Sequence, residues 1–283
     1  MNMQHIGVIG AGTMGNGIAQ TCAVAGLHVT MIDVSDAAVE RGIKTLSASL
    51  ERLVKKDKLT AAQKEAALSR VRGSTDYAAL ADTDIVIEAA TENLQLKMSI
   101  LRQIDALIPE ETVIATNTSS ISITQLAALV SNPERFIGAH FFNPVPMMAL
   151  LEFIRGLQTS DRTHDRAIAF AAAIGKTPIT VRNSPGFVVN RVLVPMINEA
   201  IFVLQEGLAS ADDIDTGMRL GCNHPIGPLA LADLIGLDTL LAVMQVFYES
   251  FNDSKYRPAP LLKEMVAAGR LGRKSSLGFY SYA

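Results

Sequence analysis

Five histidines stand in the chain, at His5, His28, His140, His164 and His224. An imidazole titrates near neutral pH and can pass a proton in either direction, so each is a candidate acid or base. His5 and His28 open apolar runs, His164 lies at a polar helix start, and His224 precedes a proline. His140 differs, because it sits near the end of a late apolar run, in the segment GAHFFNP that ends at Pro144. Further on, Glu152 is flanked by apolar residues in LLEFI, residues 150–154. A carboxylate in such a run is costly unless it is paired. The two segments read as strands joined by a proline turn, so their side chains can meet. A carboxylate on one imidazole nitrogen fixes the tautomer and stabilises the cation formed at the other. A satisfied core histidine and a glutamate at an exposed edge are the plainer alternatives.

Other polar groups cluster after apolar runs. Asn117, Thr118, Ser119 and Ser120 follow the run at residues 113–116. Their hydroxyls and amide can bond a substrate oxygen or a carboxamide, and they are equally ordinary helix-capping residues. Glu92 and Lys97 follow the run at 85–89; they can reach a bound ribose, or be a helix-start acid and a solvated lysine. Asn190 lies near the start of a later helical pattern and can face a cleft.

The elements that must position these groups begin at the N-terminus. An apolar run at residues 6–9 meets the turn Gly10, Ala11, Gly12, Thr13, Met14, Gly15; a helical pattern and a second apolar run ending at Asp33 follow. This is a βαβ unit carrying the G-x-G-x-x-G fingerprint. Gly10 permits the tight turn, Gly12 keeps a side chain away from a pyrophosphate, and Gly15 lets helix and strand pack closely. The helix start then offers backbone N–H groups and partial positive charge to phosphates. Asp33 can accept from both hydroxyls of a ribose and would repel a 2′-phosphate, and no arginine follows it immediately. The pattern therefore favours NAD over NADP. A βαβ unit that binds another nucleotide, or none, is the alternative.

Apolar residues make up 49% of the 283-residue chain, enough for a large core without disulfides. A formal net charge of -3 with no charged block argues against nucleic acid and anionic membranes as partners. Cys22 and Cys222 are far apart and lack metal-ligand spacing, so two free thiols and no metal are expected. Without a signal-peptide pattern or an apolar run of membrane-spanning length, a cytoplasmic protein is expected.

Along the chain, helical patterns at residues 14–25, 36–56 and 60–70 are followed by runs at 85–89 and 113–116 with a helix between them. The stripe Val39, Ile43, Leu46, Leu50 and Leu53 marks one helix face. That helix ends in the basic cluster Lys55, Lys56 and Lys58, and Thr60 with Gln63 forms a capping-box signature, so the pair reads as a helical hairpin. A second such signature is Ser122 with Gln125. Beyond the segment NSPG, residues 183–186, only helical patterns recur, with Pro195 inside the first. The expected fold is α/β: a Rossmann-type N-terminal domain over residues 1–183 with a helical hairpin insertion, then an all-α C-terminal domain over 184–283 suited to substrate binding and dimerisation.

Six segments together carry a resemblance. They are GAGTMGNGIAQ from Gly10, ATENLQLK ending at Lys97, TNTSS ending at Ser120, GAHFFNPVPMMALLE ending at Glu152, NSPGFVVNR ending at Arg191, and GRKSSLGFY ending at Tyr280. Over essentially the whole chain they resemble the L-3-hydroxyacyl-CoA dehydrogenase family, including bacterial 3-hydroxybutyryl-CoA dehydrogenases. The resemblance implies His140 as catalytic base with Glu152 as its partner, and Ser119 and Asn190 at the reacting oxygen of the substrate. It implies NAD as cofactor, held by the turn from Gly10 to Gly15 with Asp33, Glu92, Lys97, Ser119, Asn143 and Lys274. It implies Ser49 and Lys56 as contacts for an acyl-CoA substrate, and a homodimer formed through the C-terminal helices. Fatty-acid and butanoate metabolism are the implied settings. A hydroxyacid dehydrogenase acting on a substrate without coenzyme A and a non-catalytic dinucleotide-binding relative are the competing readings.

Overall fold

The computed structural model describes residues 3–282. The chain divides into two compact units, Met1–Ser184 and Pro185–Ala283. The first contains, in order, β1 (His5–Ile9), α1 (Thr13–Val24), β2 (His28–Ile32), α2 (Asp36–Val54), α3 (Ala61–Leu68), β3 (Val71–Ser74) and β4 (Ile85–Glu88). It continues through α4 (Leu94–Asp105), β5 (Val113–Thr116), α5 (Ile123–Ala127), β6 (Phe136–Phe141), β7 (Leu150–Arg155), α6 (Asp161–Ala173) and β8 (Thr177–Arg182).

The eight strands form one sheet in the order β3-β2-β1-β4-β5-β6-β7-β8. Every neighbouring pair is parallel except β6 and β7. The central strands are short and apolar because helices cover both faces: all four residues of β4 and of β5 are buried. Since β1, β4, β5 and β6 run parallel, their C-terminal ends share one edge. In an open α/β sheet that edge carries the ligand crevice.

The hairpin α2–α3 is rooted in the core through Leu46, Leu50 and Ala67, all fully buried. Its first helix is capped by Ser35, whose side chain accepts from the Ala38 N–H, and its second by a complete capping box between Thr60 and Gln63. At Ser122 only half of the expected box forms; the Ser122 side chain accepts from the Gln125 N–H. The hairpin leads into β3, a strand that the sequence does not announce. Its residues, VRGS, contain one apolar side chain, and an edge strand needs to bury little.

The second unit is helical: α7 (Val189–Gln205), α8 (Ala211–Gly221), α9 (Pro228–Ile235), α10 (Leu237–Phe251) and α11 (Pro260–Ala267). Its core is built from Ile197, Ile201, Leu229, Leu237, Leu240, Met244, Phe247 and Leu262, all fully buried. Pro195 lies inside α7. Gly236, at φ +102°, separates α9 from α10, a conformation that favours glycine. Two buried carboxylates organise the rest. Asp215 accepts from the N–H groups of Leu229 and Ala230 and from the Tyr280 hydroxyl. Asp233 accepts from the N–H groups of Phe279 and Tyr280 and from the Tyr282 hydroxyl. Three donors each satisfy these acids away from water. Among the described residues no single helix is long and apolar enough to cross a membrane.

Cys22 is fully buried in α1, and burial pushes its thiol up to about 12, whereas Cys222 is exposed. Thiolate, not thiol, attacks a disulfide reagent. Native protein at pH 8 should therefore release one equivalent from such a reagent rapidly, from Cys222. The second should appear only on unfolding; rapid release of two equivalents would contradict the burial of Cys22.

Candidate active site

The antiparallel pairing of β6 with β7 puts His140 directly opposite Glu152. His140 Nδ1 lies 2.7 Å from a Glu152 carboxylate oxygen. Glu152 has no solvent exposure and His140 retains 7%. The buried carboxylate therefore holds Nδ1–H, and Nε2 is the nitrogen that can take a proton. The neighbouring Phe142 ring packs 4.5 Å from the imidazole. Glu152 is not at an exposed edge, because β8 covers β7 on its other side.

The ends of β4 and β5 hold a second polar group. Lys97 is 1% exposed, and its ammonium lies 2.5 Å from Glu88, 3.4 Å from the Thr116 hydroxyl and 3.9 Å from Glu92. The alternative of a solvated lysine is thus corrected: α4 buries this side chain against the last residue of β4. Glu88 is wholly buried and accepts further bonds from the Thr116 hydroxyl and the Ala90 N–H. Glu92 reaches over the end of β5, where it accepts from the Thr118 hydroxyl and from both the N–H and the hydroxyl of Ser119, the last at 2.8 Å. Asn117 accepts from the Phe141 N–H and so ties the end of β5 to the strand of His140. Glu88 and Thr116 are absent from the candidate residues of the sequence reading, and Thr118 stands there only as one of a run of hydroxyls. Glu88 ends an apolar run, and that lone acid was its only signal.

A cavity of about 630 Å³ opens beside the glycine turn. Its walls include Ala11, Gly12, Thr13, Asp33, Ser49 and Asn143. These residues fit a dinucleotide. A Cβ on Gly12 would meet nothing, so the backbone there faces open space. A Cβ on Gly15 would strike the Gly10 carbonyl, so close packing excludes any side chain. Gly10 itself has φ +100°. No side chain caps α1, which leaves its first N–H groups to a ligand phosphate. Asp33 is fixed by the N–H groups of Ala11 and Val34, both at 2.7 Å, and a carboxylate so held keeps lone pairs for ribose hydroxyls.

The α2 face lining this cavity carries Arg41, Thr45, Ser49 and Arg52, one helical stripe. No arginine follows Asp33 immediately, yet Arg41 shares the cavity wall with it. Met14 and Gly15 lie inside α1. Lys56 is exposed just beyond α2 and does not line the cavity. In the second unit, Asn190 is half-buried in the first turn of α7, and Lys274 is exposed and ion-paired with Asp238.

Comparison with known proteins gives a consistent result. Residues 5–184 match the NAD binding domain of 3-hydroxyacyl-CoA dehydrogenase, and residues 186–282 match the C-terminal domain of the same family. A 3-hydroxybutyryl-CoA dehydrogenase from Bradyrhizobium diazoefficiens is 50% identical over 280 residues, covering 99% of this chain and 96% of the relative. Another, from Clostridioides difficile, is 48% identical over 98% of this chain and 99% of the relative. The crystal structure of an (S)-3-hydroxybutyryl-CoA dehydrogenase from Ralstonia eutropha superposes with a TM-score of 0.98 at 65% identity, covering both chains completely.

Replacing Lys97 with Met should leave Glu88 buried without its cation, at a cost of about 3–5 kcal/mol. Urea denaturation should register that loss, and Glu88→Gln combined with Lys97→Met should recover part of it. Equal stability of Lys97→Met and the parent chain would refute the buried pair.

Proposed function

The chain belongs to the 3-hydroxyacyl-CoA dehydrogenase family, and we propose that it interconverts an (S)-3-hydroxyacyl-CoA and the corresponding 3-oxoacyl-CoA with NAD. The short-chain pair 3-hydroxybutyryl-CoA and acetoacetyl-CoA is the favoured substrate. The observation that carries the reading is the 2.7 Å contact between His140 and a fully buried Glu152, on the strand edge that also bears the glycine turn.

NAD, when bound, accepts the hydride in oxidation and its reduced form returns it in reduction. The turn Gly10 to Gly15, Asp33 and Asn143 would hold it, with Glu92, Lys97, Ser119 and Lys274 as further contacts. His140 Nε2 takes the proton of the 3-hydroxyl as C3 is oxidised and gives it back to the 3-oxo oxygen in reduction. Glu152 keeps the imidazole in the tautomer with Nδ1 protonated, so that Nε2 presents its lone pair. The carboxylate then offsets the positive charge that the ring acquires. Ser119 and Asn190 bond the same substrate oxygen, more strongly as it gains negative charge in reduction. Because the Ser119 hydroxyl donates to Glu92, it must turn toward the substrate to donate there. Ser49, on the cavity wall, and Lys56 would contact coenzyme A. Its phosphates suit the basic end of α2, where Arg52 is followed by Lys55 and Lys56.

A homodimer through the second unit and a cytoplasmic location complete the proposal. Val192, Leu208 and Leu220 are 67%, 76% and 81% exposed, apolar side chains that a second copy could cover. The two unpaired cysteines suit a reducing compartment.

His140→Gln should lower kcat by about 10²–10⁴ while NADH still binds, because general base catalysis contributes that much. Glu152→Gln should lower kcat by at least about tenfold through loss of ring orientation and charge compensation. Near-parental turnover by His140→Gln would discard the assignment. Acetoacetyl-CoA should be reduced far faster than free acetoacetate; the reverse order would establish a substrate without coenzyme A. Multi-angle light scattering should give a mass near twice that of the 30.3 kDa chain.

A further inference from the structure

Lys176 lies in the turn between α6 and β8, outside every residue assigned above. It is 8% exposed. Its ammonium donates to the carbonyl oxygens of Val145 at 2.5 Å and Met148 at 2.6 Å. Among the described residues no carboxylate lies in ion-pair contact with it. Burying an ammonium costs several kcal/mol, and two carbonyl dipoles offset that more weakly than a carboxylate would. An apolar side chain of similar length would fill the space at lower cost, so core packing alone does not account for a lysine here.

The two carbonyls belong to the loop 142–149, which joins the strand of His140 to the strand of Glu152. The same loop supplies Asn143, Pro144, Val145 and Pro146 to the wall of the cofactor cavity. Val145 is 2% exposed and packs so closely on α1 that a Cβ on Gly17 would lie 2.8 Å from its Cβ. The far end of the loop is tied to the residue next to the lysine, since the Thr177 N–H donates to the Ala149 carbonyl at 2.8 Å. Met147 and Met148 are 63% and 40% exposed, so the loop is not fixed by burial along its length.

We propose that Lys176 is a positioning residue for the dinucleotide: its ammonium fixes the shape of loop 142–149 and thereby presents Asn143 to the cofactor. The proposal rests on the reading of this cavity as the NAD site with Asn143 as a contact. Lys176 itself touches neither substrate nor cofactor and acts through the loop.

The test measures NADH affinity directly, by the fluorescence of the bound nucleotide, in Lys176→Met, Lys176→Arg, Asn143→Ala and the Lys176→Met/Asn143→Ala double variant. Lys176→Met should weaken NADH binding about tenfold, the scale of losing hydrogen bonds from a charged donor. Its kcat at saturating NADH should stay within about threefold of the parent chain. Lys176→Arg, which keeps a cation, should recover most of the affinity. In the Asn143→Ala background the same Lys176→Met change should weaken binding less than about twofold, because residues acting as one unit are not additive. Unchanged NADH affinity in Lys176→Met, a loss in kcat alone, or full additivity with Asn143→Ala would overturn the proposal. If Lys176→Met does not fold, Lys176→Gln takes its place in the cycle. Failure of both to fold while Lys176→Arg binds as the parent does would reduce the lysine to a structural role and equally overturn it. A parent chain that binds no NADH would instead remove the NAD reading on which the proposal rests.

Discussion

Everything chemical in the first unit depends on one reversal of strand direction. Five parallel pairings set the glycine turn, the β4 end and the β5 end on a common edge; the antiparallel pairing of β6 and β7 then sets Glu152 opposite His140. In an antiparallel ladder directly opposed residues point to the same face, so register alone brings the two side chains together. Had β7 slipped by one residue, Glu152 would face the other side of the sheet and His140 would lose its carboxylate. The turn that makes the reversal possible is the loop that also walls the cofactor cavity. On the proposed function, proton transfer and dinucleotide binding are therefore both built on one continuous segment, residues 136–155.

Around that segment the protein spends buried charge in several distinct ways. Glu88 and Lys97 neutralise one another under the loop ends of β4 and β5. Glu152 is matched by a ring that changes charge. Lys176 is met by carbonyls, and Asp215 and Asp233 by three donors each. A packed apolar group would be cheaper at most of these sites. What the charged groups add is direction: each binds specific atoms of a loop or a strand end and so selects one geometry from many that an apolar core would tolerate. Glu88 ends β4, Lys97 lies in the first turn of α4 and Lys176 directly precedes β8, places where chain direction changes.

The sequence made the glycine turn, Asp33 and the His140–Glu152 pair legible because each breaks a strong local pattern. Glycines at fixed spacing interrupt a βα junction, and an acid interrupts an apolar strand. The helices of the second unit were legible from their period, with ends displaced by a residue or two where caps decide the boundary. β3 was illegible because an edge strand with one apolar residue has no pattern to break. The burial of Lys97 was also hidden, since its partner Glu88 lies on another element and only the parallel pairing of β4 and β5 brings Thr116 alongside. Arg41 and Arg52 were hidden for a related reason. They are ordinary surface residues in sequence, and only the orientation of α2 makes them a cavity wall. Asp215 and Asp233 bond to segments up to 65 residues away, as with Tyr280, a separation that no local window spans.

The complete burial of Glu152 also governs the path of the proton after the chemistry is over. A carboxylate without contact with water can steady a charge but cannot hand it to solvent. On the proposed mechanism, the proton that His140 takes stays on the ring, steadied by Glu152, and the small exposed part of His140 is its way to water. Return of the free base then follows the wetting of that face, once the product has left it.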